Sequence, residues 1–173
     1  GVDPVRYYLT SQMSVGQDGN FSFKDLENRI NSDLANNLGN LLNRTLALAL
    51  KNGLKLVPIC EVWEGESSIL KDKCIEVFRF YWEEMNKCMF HIALAQLWKF
   101  ISQVNAFFHS QKPWVLAREN KELFEEVISA TCHSLYSIAI MLWPVMPDKM
   151  QDLLKAIGHE LVLGRDYESN LRK

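Results

Sequence analysis

Nowhere in this sequence do apolar and polar residues alternate over a useful length, so a sheet-based core is excluded and the repeat that remains is helical. Apolar runs able to cross a bilayer are missing too, since stretches such as Ser137 to Pro147 are short and interrupted by proline. No membrane partner is therefore expected. Neither sign of charge dominates: 19 Lys and Arg stand against 21 Asp and Glu, for a net −2. Non-specific attraction to phosphate should be weak beside that of a strongly basic nucleic-acid binder. The balance still suits a reader of a few bases whose RNA is held elsewhere. The four cysteines, Cys60, Cys74, Cys88 and Cys132, form no CxxC pair and follow no secretory signal, which points to reduced thiols and a cytoplasmic setting. His91, His109, His133 and His159 lack HExxH or similar ligand spacing, so no metal is expected. Glu-x-x-His pairs, which hold metal cofactors in some helix bundles, are also missing.

What is present is 173 residues, 48% of them hydrophobic, enough for one well-packed domain with a short appended element. Asp3-Pro4 reads as an N-cap with proline at the first helical position, opening a short helix through about Gln12. Gly16, Asp18 and Gly19 then make a turn. Ser22 followed by Asp25 is a capping signal, and Leu26, Ile30, Leu34, Leu38, Leu41 and Leu42 continue at helical spacing to about Lys51, where Asn52-Gly53 ends the helix. The stretch 54–66 has no clear period and reads as a loop. Helical patterns follow from Ser67 to about Met85, with a bend near Asn86, and from about Lys87 to Gln111. Phe90, Leu94, Leu97, Trp98, Ile101 and Phe108 form the buried stripe of the second of these. Asn105 falls inside that stripe, and a buried amide must be hydrogen-bonded, so it is expected to tie its helix to a neighbouring segment. A further helix runs from Asn120 to about Trp143, and Pro147 opens a last short one that ends before Gly158. Short connections between long helices predict an all-α, antiparallel helix bundle.

Two features point toward chemistry. Asn36, Asn40 and Arg44 stand at i, i+4 and i+8. At about 100° and about 1.5 Å per residue, an α-helix places them on one stripe about 12 Å long. Two amides and a guanidinium are groups that read base edges, because each holds several donors or acceptors in fixed planar geometry. By itself, the stripe equally describes the solvated side of an amphipathic helix. The second feature is Pro113-Trp114, a helix stop followed by a large aromatic side chain. Such a tryptophan can stack on a base, and can as readily cap a helix end in the core.

Taken in order, GVDPVRYYL at Gly1 to Leu9, DGNFS at Asp18 to Ser22, NSDLANNLGNLLNR at Asn31 to Arg44 and NAFFHSQKPW at Asn105 to Trp114 resemble the C-terminal part of methionyl-tRNA synthetases. The first motif is shared loosely by several class I synthetases. The others, with the Pro-Trp pair well downstream, are more specific, and the resemblance fades after about Gly158.

The resemblance implies a connector over 1–20, a helical anticodon-binding domain over 21–158 and a tail or linker over 159–173. It implies that Asn36, Asn40, Arg44, Pro113 and Trp114 read a CAU anticodon, with the tRNA anticodon loop and the catalytic domain of the same polypeptide as partners. ATP and methionine would bind that catalytic domain upstream of Gly1, and no cofactor is expected in this chain, which carries no HIGH or KMSKS type signature and is not expected to catalyse by itself. The absence of an initiator methionine suits a fragment. Two other readings remain at this point. One is a free-standing helical module that binds a partner helix, and the other is the anticodon domain of another class I synthetase.

Overall fold

The computed structural model describes residues 1–16, 19–60 and 62–159, and among these it contains helices and no strand. In chain order the helices are α1 (Val2–Gln12), α2 (Phe23–Arg29), a π-helical stretch (Ile30–Gly39), α3 (Asn40–Lys51), α4 (Gly65–Asn86), α5 (Phe90–Gln111), α6 (Pro113–Glu119), α7 (Lys121–Leu142) and α8 (Pro147–Ala156). Asp18, within the expected first turn, and 160–173, most of the expected tail, lie outside the described residues.

Several boundaries follow from local chemistry. Ser22 accepts a hydrogen bond from the Asp25 amide at 3.3 Å and starts α2, and Asn120 accepts from the Leu123 amide at 3.1 Å and starts α7. Both satisfy amides that the first turn of a helix leaves without partners. The bend expected near Asn86 is a full reversal. Cys88 adopts a left-handed φ of 59°, and α5 returns antiparallel against α4. The amphipathic faces of α4, α5 and α7 meet in the centre of the bundle, where Val77, Leu94, Leu97, Ile101, Phe124, Val127, Leu135 and Ile138 are all buried. Tyr81, also buried there, satisfies its hydroxyl by donating to the Met141 carbonyl. The irregular segment before α4 lies along α7: Ser129 donates to the Pro58 carbonyl at 2.8 Å, and Trp63 meets His133 edge-on at 5.1 Å. Burial pushes the Cys132 thiol up to about 11, and the four described cysteines are all free thiols.

The first helix departs from the sequence expectation. Gly1, not Asp3, occupies its N-cap position. Asp3 is buried and accepts a hydrogen bond from the Lys149 amide at 2.8 Å. It therefore caps α8, whose own N-cap residue, Met146, offers no side-chain acceptor. Arg6 donates to the Pro144 carbonyl at 2.8 Å and holds the same corner. Asp3→Ala should thus cost about 0.5–2 kcal/mol, the usual worth of an N-cap. Asp3→Asn, which retains an accepting oxygen, should cost less. Urea unfolding of the two variants beside the parent chain checks this, and equal stability of all three would show that the contact contributes nothing.

Candidate nucleic-acid interface

The candidate readers come from two places in the bundle: the long helical segment 23–51 and the corner between α5 and α6. The first is not α-helical throughout. Between Ile30 and Gly39 the backbone is π-helical, with the Asn40 amide donating to the Ala35 carbonyl five residues back. This i→i+5 bonding widens the turn. It also brings the Leu34 carbonyl oxygen within 3.0 Å of where a Cβ on residue 39 would stand, and residue 39 is glycine. The single α-helical stripe expected for Asn36, Asn40 and Arg44 is corrected accordingly. Asn40 and Arg44 share a face of α3, whereas Asn36 lies inside the wide turn and its angle to them is set by the π geometry.

Asn36 and Asn40 are exposed and make no side-chain hydrogen bond among the described residues. Both offer a free amide to solvent. Arg44 is half-buried, its guanidinium carbon 5.3 Å from the centroid of the Phe108 ring, while Phe108 itself is 1% exposed. The guanidinium thus roofs a core aromatic residue, a cation–π contact worth about 0.5–1 kcal/mol at a partly exposed site. Its five N–H donors make no hydrogen bond among the described residues.

At the other corner, α5 ends at Lys112 in the left-handed region (φ 47°, ψ 56°), and Pro113 is at once the first residue of α6. The helix stop expected at Pro113 is also the start of this short helix. Proline stops one helix and starts the next, because its fixed φ and missing N–H cost nothing at a first helical position. Pro113 is buried. It anchors the corner, and Trp114 beside it is 40% exposed. The Trp114 ring meets His109 at 5.8 Å and 64°, in an edge-to-face arrangement.

Phe108 and His109 are consecutive residues in the last turn of α5, about 100° apart around it, and each supports one of the two corners. Arg44 covers one and Trp114 leans on the other. A planar aromatic surface and a fork of cationic donors therefore flank one helix end, next to a free amide at Asn40. Sequence reasoning assigned Phe108 to the core and His109 to no role, and nothing in their spacing marks them as supports. Asn37 was missed as well. It is half-buried and accepts from Asn105 Nδ2 at 2.7 Å. Asn105 also donates to the Ile101 carbonyl at 3.1 Å, so the amide expected to tie α5 to a neighbouring segment does so.

Earlier in the same π-helical stretch, the buried Tyr7 donates its hydroxyl to Asp33 at 2.7 Å. Burial, reinforced by the hydrogen bond to Asp33 and the charge of that carboxylate, pushes the phenol well above its ordinary range. It stays protonated and able to donate. Among the described residues no cluster of His, Cys, Asp or Glu could hold a metal ion, and no helix is long and apolar enough to cross a membrane.

Residues 1–46, which include Asn36, Asn40 and Arg44, match the family described as tRNA synthetases class I (M). The methionine–tRNA ligase of Thermotoga maritima is 36% identical over 98% of this chain and 27% of its own length. That of Enterococcus faecalis is 37% identical over 91% of this chain and 24% of its own. Among solved structures, Mycobacterium tuberculosis methionyl-tRNA synthetase in complex with methionyl-adenylate matches with a TM-score of 0.88 at 31% identity, covering 98% of this chain and 34% of that one. The helical bundle and the matching family define a portion of a class I tRNA synthetase. More narrowly, the chain belongs to the methionyl-tRNA synthetase family, which displaces the reading as a synthetase for another amino acid. It spans about a quarter to a third of the length of these relatives.

Proposed function

We propose that this chain is the anticodon-recognition portion of a methionyl-tRNA synthetase and that it selects tRNA by its CAU anticodon. The observation that carries this reading is the shared support of Arg44 and Trp114 by adjacent residues of α5. Sequence-specific RNA recognition favours single-stranded loops, whose bases can be splayed out, stacked on aromatic rings and read along their edges. Trp114 supplies the stacking face. Arg44 and Asn40 supply donors and an acceptor for the edge of that base or its neighbour, Asn36 adds an amide from the preceding wide turn, and Pro113 fixes the direction of Trp114. The catalytic domain of the same polypeptide would attach methionine to the selected tRNA with ATP, in the cytoplasm. The near-neutral charge of this chain fits a division of labour in which other parts of the enzyme hold the tRNA body.

The test is binding of this chain to anticodon stem-loops that carry CAU or a single-base change. Asn40→Ala and Arg44→Ala should erode the preference for CAU by about 1–3 kcal/mol, the worth of an edge-reading pair in duplex systems. Arg44→Ala should also uncover Phe108 and lower stability slightly. If folded Asn40→Ala and Arg44→Ala keep the full preference for CAU, these residues are structural and the reading site is mistaken.

A further inference from the structure

The π-helical stretch Ile30–Gly39 is gripped from outside at two points. Near its start, Asp33 accepts from Tyr7 of α1 at 2.7 Å. Near its end, Asn37 accepts from Asn105 of α5 at 2.7 Å and donates to Ser102 at 3.4 Å. Asn105 also reaches the Asn37 backbone carbonyl at 3.5 Å, and that same carbonyl takes the Asn40 amide where the stretch passes into α3. Long runs of i→i+5 bonding are rare, because an α-helical register serves the backbone better, and they frequently mark functional sites. Something must hold this register. The clasp holds the inner side of the turn, at Asn37, whose neighbour Asn36 and successor Asn40 face solvent. Gly39 contributes from within, since a side chain there would crowd the Leu34 carbonyl.

We infer that the Asn105–Asn37 clasp, together with Gly39, sets the angle between Asn36 and Asn40, so that Asn37, Gly39 and Asn105 are positioning residues for base reading. The inference rests on the anticodon-reading proposal. The clasp itself has a separate readout in the backbone. Asn105 touches no base. It acts by keeping the wide turn open, which holds two adjacent reader amides in the relation that edge recognition requires.

Two variants disturb the register from opposite sides. Asn105→Leu removes the clasp at nearly constant volume, and Gly39→Ala crowds the turn without touching α5. For both, amide hydrogen exchange over residues 35–40 is read beside binding of the 173-residue chain to CAU and single-base-changed stem-loops. We expect exchange at these amides to quicken about tenfold or more, as local opening becomes easier. The preference for CAU should fall about tenfold, while stacking keeps overall affinity for the changed loops within about threefold. Ser102→Ala, which removes the 3.4 Å contact and the 3.1 Å bond of Ser102 to the Trp98 carbonyl but leaves the Asn105 clasp intact, should leave both readings near those of the parent. Parent-like exchange and parent-like CAU preference in Asn105→Leu would overturn the inference and reduce Asn105 to packing. Should Asn105→Leu fail to fold, Gly39→Ala decides, and full CAU preference in that variant overturns the inference. A failure of the anticodon reading itself shows differently: Asn40→Ala and Arg44→Ala would then leave CAU preference intact, whatever the exchange at 35–40.

Discussion

Leu41→Ala should destabilise the chain by about 2–5 kcal/mol, the range for a buried leucine whose cavity closes only in part. Molecules of the variant that remain folded should prefer CAU as strongly as before. Leu41 is 0% exposed and sits directly after Asn40, so the pair separates the two faces of one helix within a single peptide step. The inner face anchors α3 in the core and the outer face is open to solvent. Urea unfolding gives the first quantity, and stem-loop titration at low denaturant gives the second. If Leu41→Ala abolished discrimination while costing little stability, the division between an inner supporting face and an outer reading face would be wrong.

The second large effect concerns Trp114. Its replacement by alanine should weaken binding to every anticodon loop by about 1–3 kcal/mol, because a stacking surface serves any base. The preference for CAU should change far less than the affinity. Stability should change little, since the ring is 40% exposed and Pro113, not Trp114, is the buried residue of the corner. Trp114→Phe should recover part of the loss through its smaller ring. Parent-like affinity of Trp114→Ala for all loops would remove Trp114 from the site.

Helix placement was largely legible because its signals are local. The Ser22–Asp25 and Asn120–Leu123 caps and the Asn52-Gly53 stop each act within one turn of chain, and the apolar stripe of α5 repeats over about five turns. The π-helical stretch was not legible. Leu34, Leu38 and Leu41 are spaced as an α-helix would space them, and what selects the wider register is contact with Tyr7 and Asn105, far away in sequence. Asp3 was assigned to the wrong helix for the same reason: the capping pattern was read correctly, but its acceptor serves α8. At Pro113 the residue was recognised as a stop, while its second role as a start depended on the left-handed Lys112, a residue type that rarely signals that conformation. The five candidate readers stand out by residue type and position, and the resemblance supplies their role. Their supports, Phe108 and His109, became visible only with the fold, because an aromatic residue in an apolar stripe looks the same whether or not a guanidinium lies on it.

The contact between Asp3 and Lys149 joins residues 146 positions apart. Closing so large a loop costs more chain entropy than closing the local α4–α5 hairpin. Once made, it ties the earliest helix of the bundle to the last described one. Fraying of the first turn of α8 must then break this bond to α1 as well as the packing of α8 itself. The exchange of the Lys149 amide with solvent therefore reports how firmly α1 holds that end of α8, in a segment that would otherwise be expected to loosen by itself.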